Sequence, residues 1–319
     1  MQKDNYNLPV LFLMGPTATG KTALAVELSQ QLPVEIISVD SAMVYREMDI
    51  GTAKPDPEIL RAAPHRLIDI CDPVEPYSAG RFCRDAVDAI MEIHDKGNIP
   101  LLVGGTGLYF RTLEQGFSEL PAADPGIRER LEAEAEAMGW EKMHGRLAGV
   151  DPESAARIDP NDPQRIQRAL EVHALTGQPL SAFFRKGRTR PLPFPVHKIV
   201  IAPEERRIAH EKIGERFRGM IEAGLVDEVR RLYGRGDLGP ALPSMRLVGY
   251  RQVWQYLAGE INYNGMIDKA IIATRQLFKR QMTWLRAERG AHWCESSDPD
   301  LVIKVMDFLQ HIPFFSVRL

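Results

Sequence analysis

The feature that most constrains the fold is a complete phosphate-binding pattern near the start of the chain. Residues 15–22 read GPTATGKT and match G-x-x-x-x-G-K-[ST] at every defined position. The pattern follows a short apolar run, Val10–Met14, and precedes an amphipathic stretch, Ala23–Leu32. Strand, glycine loop and helix are therefore predicted in that order, which is typical of a sheet that binds phosphate at a helix N-terminus.

Each residue type in this loop suits the binding of a polyphosphate. Backbone N–H groups surround the phosphate oxygens, the Lys21 ammonium neutralises them, and the Thr22 hydroxyl can hold Mg²⁺. The complete loop consists of Gly15, Pro16, Thr17, Ala18, Thr19, Gly20, Lys21 and Thr22. The pattern does not say what happens to the polyphosphate. Most such loops serve ATP or GTP chemistry, so an ATP-binding protein such as a small-molecule kinase is one interpretation.

Further strand patterns extend the predicted sheet. Val34–Val39 is an apolar run that ends at Asp40, and Ile99–Val103 is followed by the glycine-rich turn Gly104–Gly107. Between them, Ala79–Lys96 has a helical pattern. Strands that alternate with helices predict a parallel α/β sheet covered on both faces, with ligands at the carboxyl ends of the strands.

A helical segment interrupts this pattern. Ile127–Leu147 predicts one charged, alanine-rich helix, and Asp162 and Pro163 predict the start of a second helix that ends before Gly177. Lys198–Ala202 returns to a strand pattern, and the chain from Glu204 onward reads as almost wholly helical. We therefore predict a P-loop NTPase-like α/β core, residues 1–116 and 197–319, with a helical insertion domain, residues 117–196.

The composition narrows the function classes. A net charge of −3 argues against a protein that simply coats nucleic acid, so any RNA contact must be local. Arg185–Pro195 and Thr274–Gly290 are locally basic candidates. The three cysteines fit neither a disulfide framework nor a zinc site, and no run of about 18 apolar residues occurs. These features predict a cytoplasmic protein that spans no membrane.

Asp40 is the acidic residue whose position in the sequence best suits a role in catalysis. It follows a predicted buried strand, in the sequence IISVDS of residues 36–41. From this position it can support a metal ion, act as a general base towards an incoming nucleophile, or only cap the turn at the strand end. The pattern alone leaves these three alternatives open.

A series of ordered sequence blocks resembles the bacterial tRNA dimethylallyltransferases over nearly the whole chain. Such a series is far more specific than the phosphate loop alone. The blocks are GPTATGKT at 15–22, DSAMVY at 40–45, MDIGTAKP at 48–55, PHRLID at 64–69, YSA at 77–79, GGTGLY at 104–109, NDPQR at 161–165, ALEV at 169–172, VGYRQ at 248–252, ATRQL at 273–277, KRQ at 279–281 and TWLR at 283–286.

The resemblance implies a prenyl transfer in place of phosphate chemistry. The loop would hold the diphosphate of dimethylallyl diphosphate, and N6 of adenosine 37, beside the tRNA anticodon, would attack the allylic carbon. Asp40 would receive the proton, while Lys21, Thr22 and Mg²⁺ would stabilise the departing diphosphate. Thr106 would lie near the reacting centre, and Arg216 would be a further diphosphate ligand.

The resemblance also implies a set of tRNA-binding residues. From the residues alone, Gln164, Arg165 and Arg168 share one face of a predicted helix, and an ordinary solvated face is the favoured explanation of them. Aromatic residues near Trp284 are more often core than stacking platforms. The implied set is Asp40, Ser41, Ala42, Met43, Thr106, Arg128, Gln164, Arg165, Ile166, Gln167, Arg168, Arg246, Gly249, Tyr250, Arg251, Lys279, Arg280, Gln281, Trp284 and Arg286.

Two further interpretations remain beside the kinase. An isopentenyltransferase that acts on free adenine nucleotides needs no insertion domain, so the helical segment and the block around Gln164 count against it. A non-catalytic RNA-binding protein leaves the complete phosphate loop without a use. We expect a monomeric tRNA-modifying enzyme that requires Mg²⁺, dimethylallyl diphosphate and the anticodon stem-loop of tRNA.

Overall fold

The computed structural model describes residues 8–187 and 189–316. Arg188, in the basic stretch Arg185–Pro195, lies outside the described residues. The strands are β1 (Val10–Met14), β2 (Val34–Val39), β3 (His65–Arg66), β4 (Ile99–Gly104), β5 (Val196–Ala202) and β6 (His292–Glu295). The helices are α1 (Lys21–Gln31), α2 (Pro57–Ala62), α3 (Ala79–Asp95), α4 (Gly107–Gln115), α5 (Pro125–Met138), α6 (Trp140–Val150), α7 (Pro152–Ala155), α8 (Pro163–Thr176), α9 (Leu180–Arg185), α10 (Arg206–Glu222), α11 (Leu225–Tyr233), α12 (Tyr250–Leu257), α13 (Tyr263–Leu285), α14 (Leu301–Gln310) and α15 (Pro313–Ser316).

The strands form one parallel sheet in the order β3-β2-β4-β1-β5-β6. Strand β1 is central and completely buried, with Phe12 in register with Leu102 on one side and Lys198 on the other. Because β2, β4 and β1 are neighbours and run in the same direction, the segments that follow them meet at one edge of the sheet. These segments contain Asp40, the turn Gly104–Gly107 and the phosphate loop.

Apolar side chains bury both faces of the sheet. On one face, Leu11 and Leu13 belong to a cluster with Leu24 and Leu28 of α1 and Val305 of α14. On the other, the ring of Phe12 packs against that of Phe110 of α4, with their centroids 4.9 Å apart. The central strands therefore have no solvent-facing side, and their near-continuous apolar sequence follows from this burial.

The chain divides into two compact units. The larger consists of residues up to Glu114 and from Pro193 onward, and contains the sheet. The smaller, Gln115–Leu192, is helical and has its own core, which includes Leu131, Leu147, Ile166 and Leu170. The smaller unit begins two residues earlier and ends four residues earlier than the insertion placed at 117–196 from the sequence.

Most predicted elements are confirmed, and two expectations are wrong. The start of α8 is as predicted, since the Asp162 side chain accepts the Arg165 N–H at 3.1 Å. The single helix predicted over Ile127–Leu147 is two helices, α5 and α6, because Gly139 has a φ of 86° and interrupts the helical backbone. The chain after Glu204 also contains the strand β6, which pairs with β5.

Candidate active site

The phosphate loop connects β1 to α1 in the way the sequence predicts. Ala18 and Gly20 have φ values of 65° and 78°, so the chain turns through the left-handed region just before α1 begins at Lys21. At Gly15, a Cβ atom would lie 2.3 Å from the carbonyl oxygen of Ile201, so only glycine fits beside β5. The loop thus directs backbone N–H groups and the N-terminus of α1 towards one anion-binding position.

Two positive side chains lie at this loop without a carboxylate partner. Lys21 Nζ donates to the carbonyl oxygen of Pro16 at 2.6 Å, and Arg216 of α10 donates to Thr17 Oγ1 at 3.1 Å. Within residues 8–187 and 189–316, neither forms a salt bridge. Both keep part of their surface open to solvent. This arrangement suits a bound polyanion.

Burial is the main cause of a lowered pKa at both of these groups. Burial, and then the positive charge of Arg216, lower the pKa of Lys21 to about 7, while the Asp40 carboxylate opposes this change. Burial also lowers the pKa of Arg216, again opposed by Asp40. Asp40 is therefore near enough to act electrostatically on both cations, although it forms a salt bridge with neither. A polyphosphate would restore the charged form of Lys21.

Asp40 lies at the carboxyl end of β2 and is only partly buried. Its Oδ1 accepts the N–H of Ala42 at 2.8 Å and that of Met43 at 3.4 Å, so Asp40 does stabilise the turn after the strand. Its Oδ2 accepts no hydrogen bond from the described part of the chain. One oxygen thus holds the carboxylate in place while the other remains available, which makes capping and proton transfer compatible.

Thr106 is brought to the same place by the glycine-rich turn after β4. Its Oγ1 accepts the Ser41 N–H at 3.2 Å, and its own N–H donates to the carbonyl oxygen of Val39 at 3.4 Å. Because the Thr106 hydroxyl acts as an acceptor towards Ser41, its hydrogen can still be donated to a substrate oxygen. Asp40, Thr106, Lys21 and Arg216 therefore belong to a single site at the sheet edge.

Gln281 has a contact that the sequence did not predict. Its Oε1 accepts the Thr17 N–H at 2.9 Å, and its Nε2 donates to the carbonyl oxygen of Gly105 at 3.0 Å. Its side chain, on α13, therefore joins the phosphate loop to the second glycine turn and is buried. A neighbouring residue, Trp284, packs so closely on the backbone of Gly107 that a Cβ there would lie 2.5 Å from the indole.

The remaining predicted tRNA-binding residues fall into three groups. Ser41, Ala42 and Met43 are partly buried beside Asp40. Ile166, Gln167, Gly249 and Tyr250 are buried, and Arg128 and Arg168 bind the buried carboxylate of Glu171. The exposed residues are Gln164, Arg165, Arg246, Arg251, Lys279, Arg280 and Arg286. The side chains of this last group are the most accessible of the three, whereas those of Arg128 and Arg168 are 38% and 26% exposed.

No group of three or more His, Cys, Asp or Glu residues could hold a metal ion in the part of the chain that the structure describes. Magnesium that is bound through one hydroxyl and the oxygens of a phosphate substrate does not require such a group.

The three cysteines are free and buried. Among residues 8–187 and 189–316, no helix is both long and apolar enough to cross a bilayer.

Comparison with known proteins places this chain in a family. The IPP transferase family matches residues 43–288, more than half of the chain, and the isopentenyl transferase family matches residues 8–69. The chain is 60% identical to the tRNA dimethylallyltransferase of Thioalkalivibrio sulfidiphilus, over 92% of this chain and 93% of that protein. It is 62% identical to that of Alkalilimnicola ehrlichii, over 88% of this chain and 89% of the other.

A solved structure agrees with the sequence comparisons. The full-length tRNA isopentenylpyrophosphate transferase of Bacillus halodurans is 36% identical, with a TM-score of 0.70 over 95% of this chain and 96% of that one. The predicted P-loop NTPase-like parallel α/β fold is thereby confirmed, as is the resemblance drawn from the sequence blocks. The chain belongs to the IPP transferase family.

Proposed function

We propose that this protein transfers the dimethylallyl group of dimethylallyl diphosphate to a tRNA and releases diphosphate. One structural observation supports the proposal independently of family membership. A pair of desolvated, unpaired cations, Lys21 and Arg216, lies beside a carboxylate, Asp40, that is held by one oxygen only. The site can therefore stabilise a departing polyanion and accept a proton from the incoming nucleophile at the same edge of the sheet.

The acceptor in this proposal is N6 of adenosine 37, next to the anticodon. The bond between the allylic carbon and the diphosphate oxygen breaks, and its electron pair leaves with the diphosphate. A new bond forms between that carbon and N6, and the N6 proton passes to Asp40. An adenine amine becomes acidic only as this bond forms, so a positioned carboxylate has its greatest effect in the transition state.

The positive groups act on the leaving group. Negative charge grows on the diphosphate as the carbon–oxygen bond breaks, and Lys21, Arg216 and the N-terminus of α1 lie at the loop where they can stabilise that charge. The Thr22 hydroxyl, in the first turn of α1, makes no hydrogen bond to any other described residue, which fits a role as a Mg²⁺ ligand. When bound, Mg²⁺ supplies further charge neutralisation to the diphosphate.

RNA recognition is proposed for the exposed polar side chains. Gln164 and Arg165 lie in the first turn of α8, Arg251 in the first turn of α12, and Lys279 and Arg280 on α13. These positions allow contact with phosphates or with unstacked bases. Adenosine 37 has to leave its stack to reach Asp40, and Ser41, Ala42 and Met43 are next to it for that contact. Ile166, Gln167 and Tyr250 can take part only by supporting their exposed neighbours.

Location and oligomeric state belong to the same proposal. Bacterial tRNA is made and used in the cytoplasm, so a tRNA substrate supports a cytoplasmic enzyme. The proposed catalytic groups lie together within one chain, so the reaction requires no second subunit, and we expect the active form to be a monomer. Sedimentation of the active protein with and without tRNA tests the second statement.

The decisive assay combines the purified protein with unmodified tRNA, Mg²⁺ and dimethylallyl diphosphate, followed by mass analysis of the nucleosides. The expected product is N6-dimethylallyladenosine at position 37. The same mixture with ATP in place of the allyl donor is the control and should leave the tRNA unchanged. Transfer or hydrolysis of ATP phosphate, with every adenosine unprenylated, would favour the kinase interpretation and contradict the proposal.

A further inference from the structure

A buried carboxylate on α11, Glu228, accepts hydrogen bonds from two distant segments of the larger unit. Its Oε2 accepts the N–H groups of Asp49 at 3.0 Å and Ile50 at 2.8 Å. Its Oε1 accepts the N–H of Gly51 at 3.2 Å and the hydroxyl of Tyr250 at 2.5 Å. The side chain is 2% exposed, so these four donors, rather than water, satisfy the carboxylate.

Burying a carboxylate is costly unless ion pairs or hydrogen bonds replace its hydration. A buried carboxylate loses its hydration, and Glu228 forms no salt bridge with any Lys or Arg that the structure describes. Burial and the Glu228 carboxylate raise the pKa of Tyr250 well above its ordinary value, so its hydroxyl remains a donor. The carboxylate thus gathers three backbone groups and one phenol at fixed positions.

The first of the two segments continues from Asp40. Residues 40–55 form turns without a regular helix or strand, and Glu47 and Ala53 have φ values of 64° and 53°, which non-glycine residues adopt only under constraint. Lys54, whose side chain is 3% exposed, binds the carbonyl oxygen of Tyr45 and the carboxylate of Asp49. Lys54 therefore links the part of the segment near Asp40 to the residues that Glu228 holds.

The second segment is the start of α12. Tyr250 follows Gly249, whose φ is 94°, and precedes the exposed Arg251. The Tyr250 ring lies against the backbone of Gly51, where a Cβ would be 2.5 Å from the ring. Glu228 therefore fixes the start of α12 against the Asp40 segment, and a shift in either one would be passed to the other.

We propose that Glu228 is a positioning residue for the tRNA acceptor, which acts by holding the Asp40 segment and the first turn of α12 in one arrangement. The inference rests on the proposed function, because it takes Asp40 as the proton acceptor and α12 as a tRNA contact. No described hydrogen bond joins Glu228 to the phosphate loop, residues 15–22. Its loss should therefore impair use of the tRNA and not binding of the prenyl donor.

The test is steady-state kinetics of Glu228→Gln with each substrate varied in turn. The amide keeps the side-chain volume but turns an NH₂ group towards N–H donors. We expect kcat/KM for tRNA to fall by about 10- to 100-fold, the scale of a misplaced catalytic group, with KM for dimethylallyl diphosphate within about twofold of wild type. Hydrogen exchange of the Asp49, Ile50 and Gly51 amides should accelerate in the same variant.

Two further variants separate positioning from general stability. Tyr250→Phe removes one of the four hydrogen bonds and should lower kcat/KM for tRNA by about threefold, with the same selectivity, even if Glu228→Gln folds poorly. Glu35→Gln alters a carboxylate at the opposite end of β2 that binds Lys96 and Asn98. This control should change the melting temperature only, and leave both KM values unchanged.

The outcomes are distinguishable. If Glu228→Gln and Tyr250→Phe lower the melting temperature but keep wild-type constants for tRNA, Glu228 is only structural and the inference is overturned. A similar rise in KM for both substrates overturns it as well. If the wild-type protein prenylates no tRNA, the proposed function has failed instead.

Discussion

Two clusters of positive side chains in this protein have opposite surroundings. At the phosphate loop of the larger unit, Lys21 and Arg216 form no salt bridge with the described residues, and burial lowers both pKa values. In the smaller unit, Arg128 and Arg168 bind Glu171, with nitrogen–oxygen distances of 2.8 and 2.6 Å. Although burial raises the pKa of Glu171, hydrogen bonds from these arginines outweigh it and hold the pKa below its ordinary value.

The difference distinguishes positive side chains that are available to bind a ligand from positive side chains that stabilise the fold. A desolvated cation without a partner gains most when an anion arrives, whereas one already bound to a buried carboxylate has less to gain. Arg165, on the same helix as Arg168, has a side chain 72% exposed and only a surface contact with Asp162. Pairing and exposure, more than the presence of an arginine, therefore indicate where a phosphate group binds.

The largest expected effect concerns the carboxylate that faces the unpaired cations. Asp40→Asn keeps the shape and the acceptor for the Ala42 N–H but removes the base, so kcat should fall by about 10³-fold with little change in tRNA affinity. Single-turnover prenylation and tRNA binding measure the two quantities. Asp56→Asn, which retains a good helix cap at α2, is the matched control. Turnover near the wild-type rate would remove Asp40 as the base.

Arg216→Ala should have the next largest effect. Removing one preorganised positive group from the leaving-group site is expected to lower kcat by about 10²-fold, because its charge acts as the diphosphate departs. Arg218→Ala removes the same charge from an exposed position on the same helix and should be nearly silent. Comparable losses in the two variants would mean that net charge, and not the position of Arg216, supports the reaction.

The lowered pKa of Lys21 predicts a pH dependence of donor binding. In the free protein the Lys21 side chain is fully charged only well below pH 7, and this charge is lost as pH rises through its pKa of about 7. Bound diphosphate stabilises the ammonium, so binding above pH 7 takes up a proton and affinity falls by up to about tenfold per pH unit. Calorimetry in two buffers of different ionisation enthalpy measures this uptake, and Lys21→Met should abolish it. Uptake that persists in the variant would assign the proton to another group.

The smallest expected effects concern the exposed arginines. Arg165→Ala and Arg280→Ala should each weaken tRNA binding a few-fold and lower the slope of log affinity against log salt concentration by about one. Arg168→Ala should instead lower the free energy of unfolding by about 1–3 kcal/mol, because Glu171 loses a buried donor. If the salt dependence of tRNA affinity is unchanged in Arg165→Ala and Arg280→Ala, neither residue contacts a tRNA phosphate.

The sequence predicts those features that depend on residues close together along the chain. The phosphate loop, the strand before Asp40 and the cap at Asp162 each depend on neighbouring residues, and all three lie where predicted. Two local signals were misread. The charged, alanine-rich sequence predicted one continuous helix, which Gly139 in fact divides into α5 and α6. The four-residue strand β6 was missed because it is short and follows a long helical region.

Long-range contacts were beyond the reach of the sequence pattern. The Gln281 side chain forms hydrogen bonds with both Thr17 and Gly105, which are far from it in the sequence. The sequence block that contains Gln281, residues 279–281, predicted only a contact with RNA. Glu228 looks like any acidic residue of an amphipathic helix, and only the fold brings Gly51 and Tyr250 to it. Such buried polar contacts depend on tertiary position, which neither hydrophobic period nor turn chemistry encodes.

The central claim is that carbon, and not phosphorus, passes from the bound polyphosphate to RNA. Dimethylallyl diphosphate labelled with ¹⁴C in the prenyl group and ³²P in the diphosphate tests it in one incubation with unmodified tRNA and Mg²⁺. We predict that ¹⁴C enters the tRNA and that one intact ³²P-labelled diphosphate is released for each dimethylallyl group transferred. Entry of ³²P into the tRNA, or release of ³²P without ¹⁴C transfer, would contradict the account.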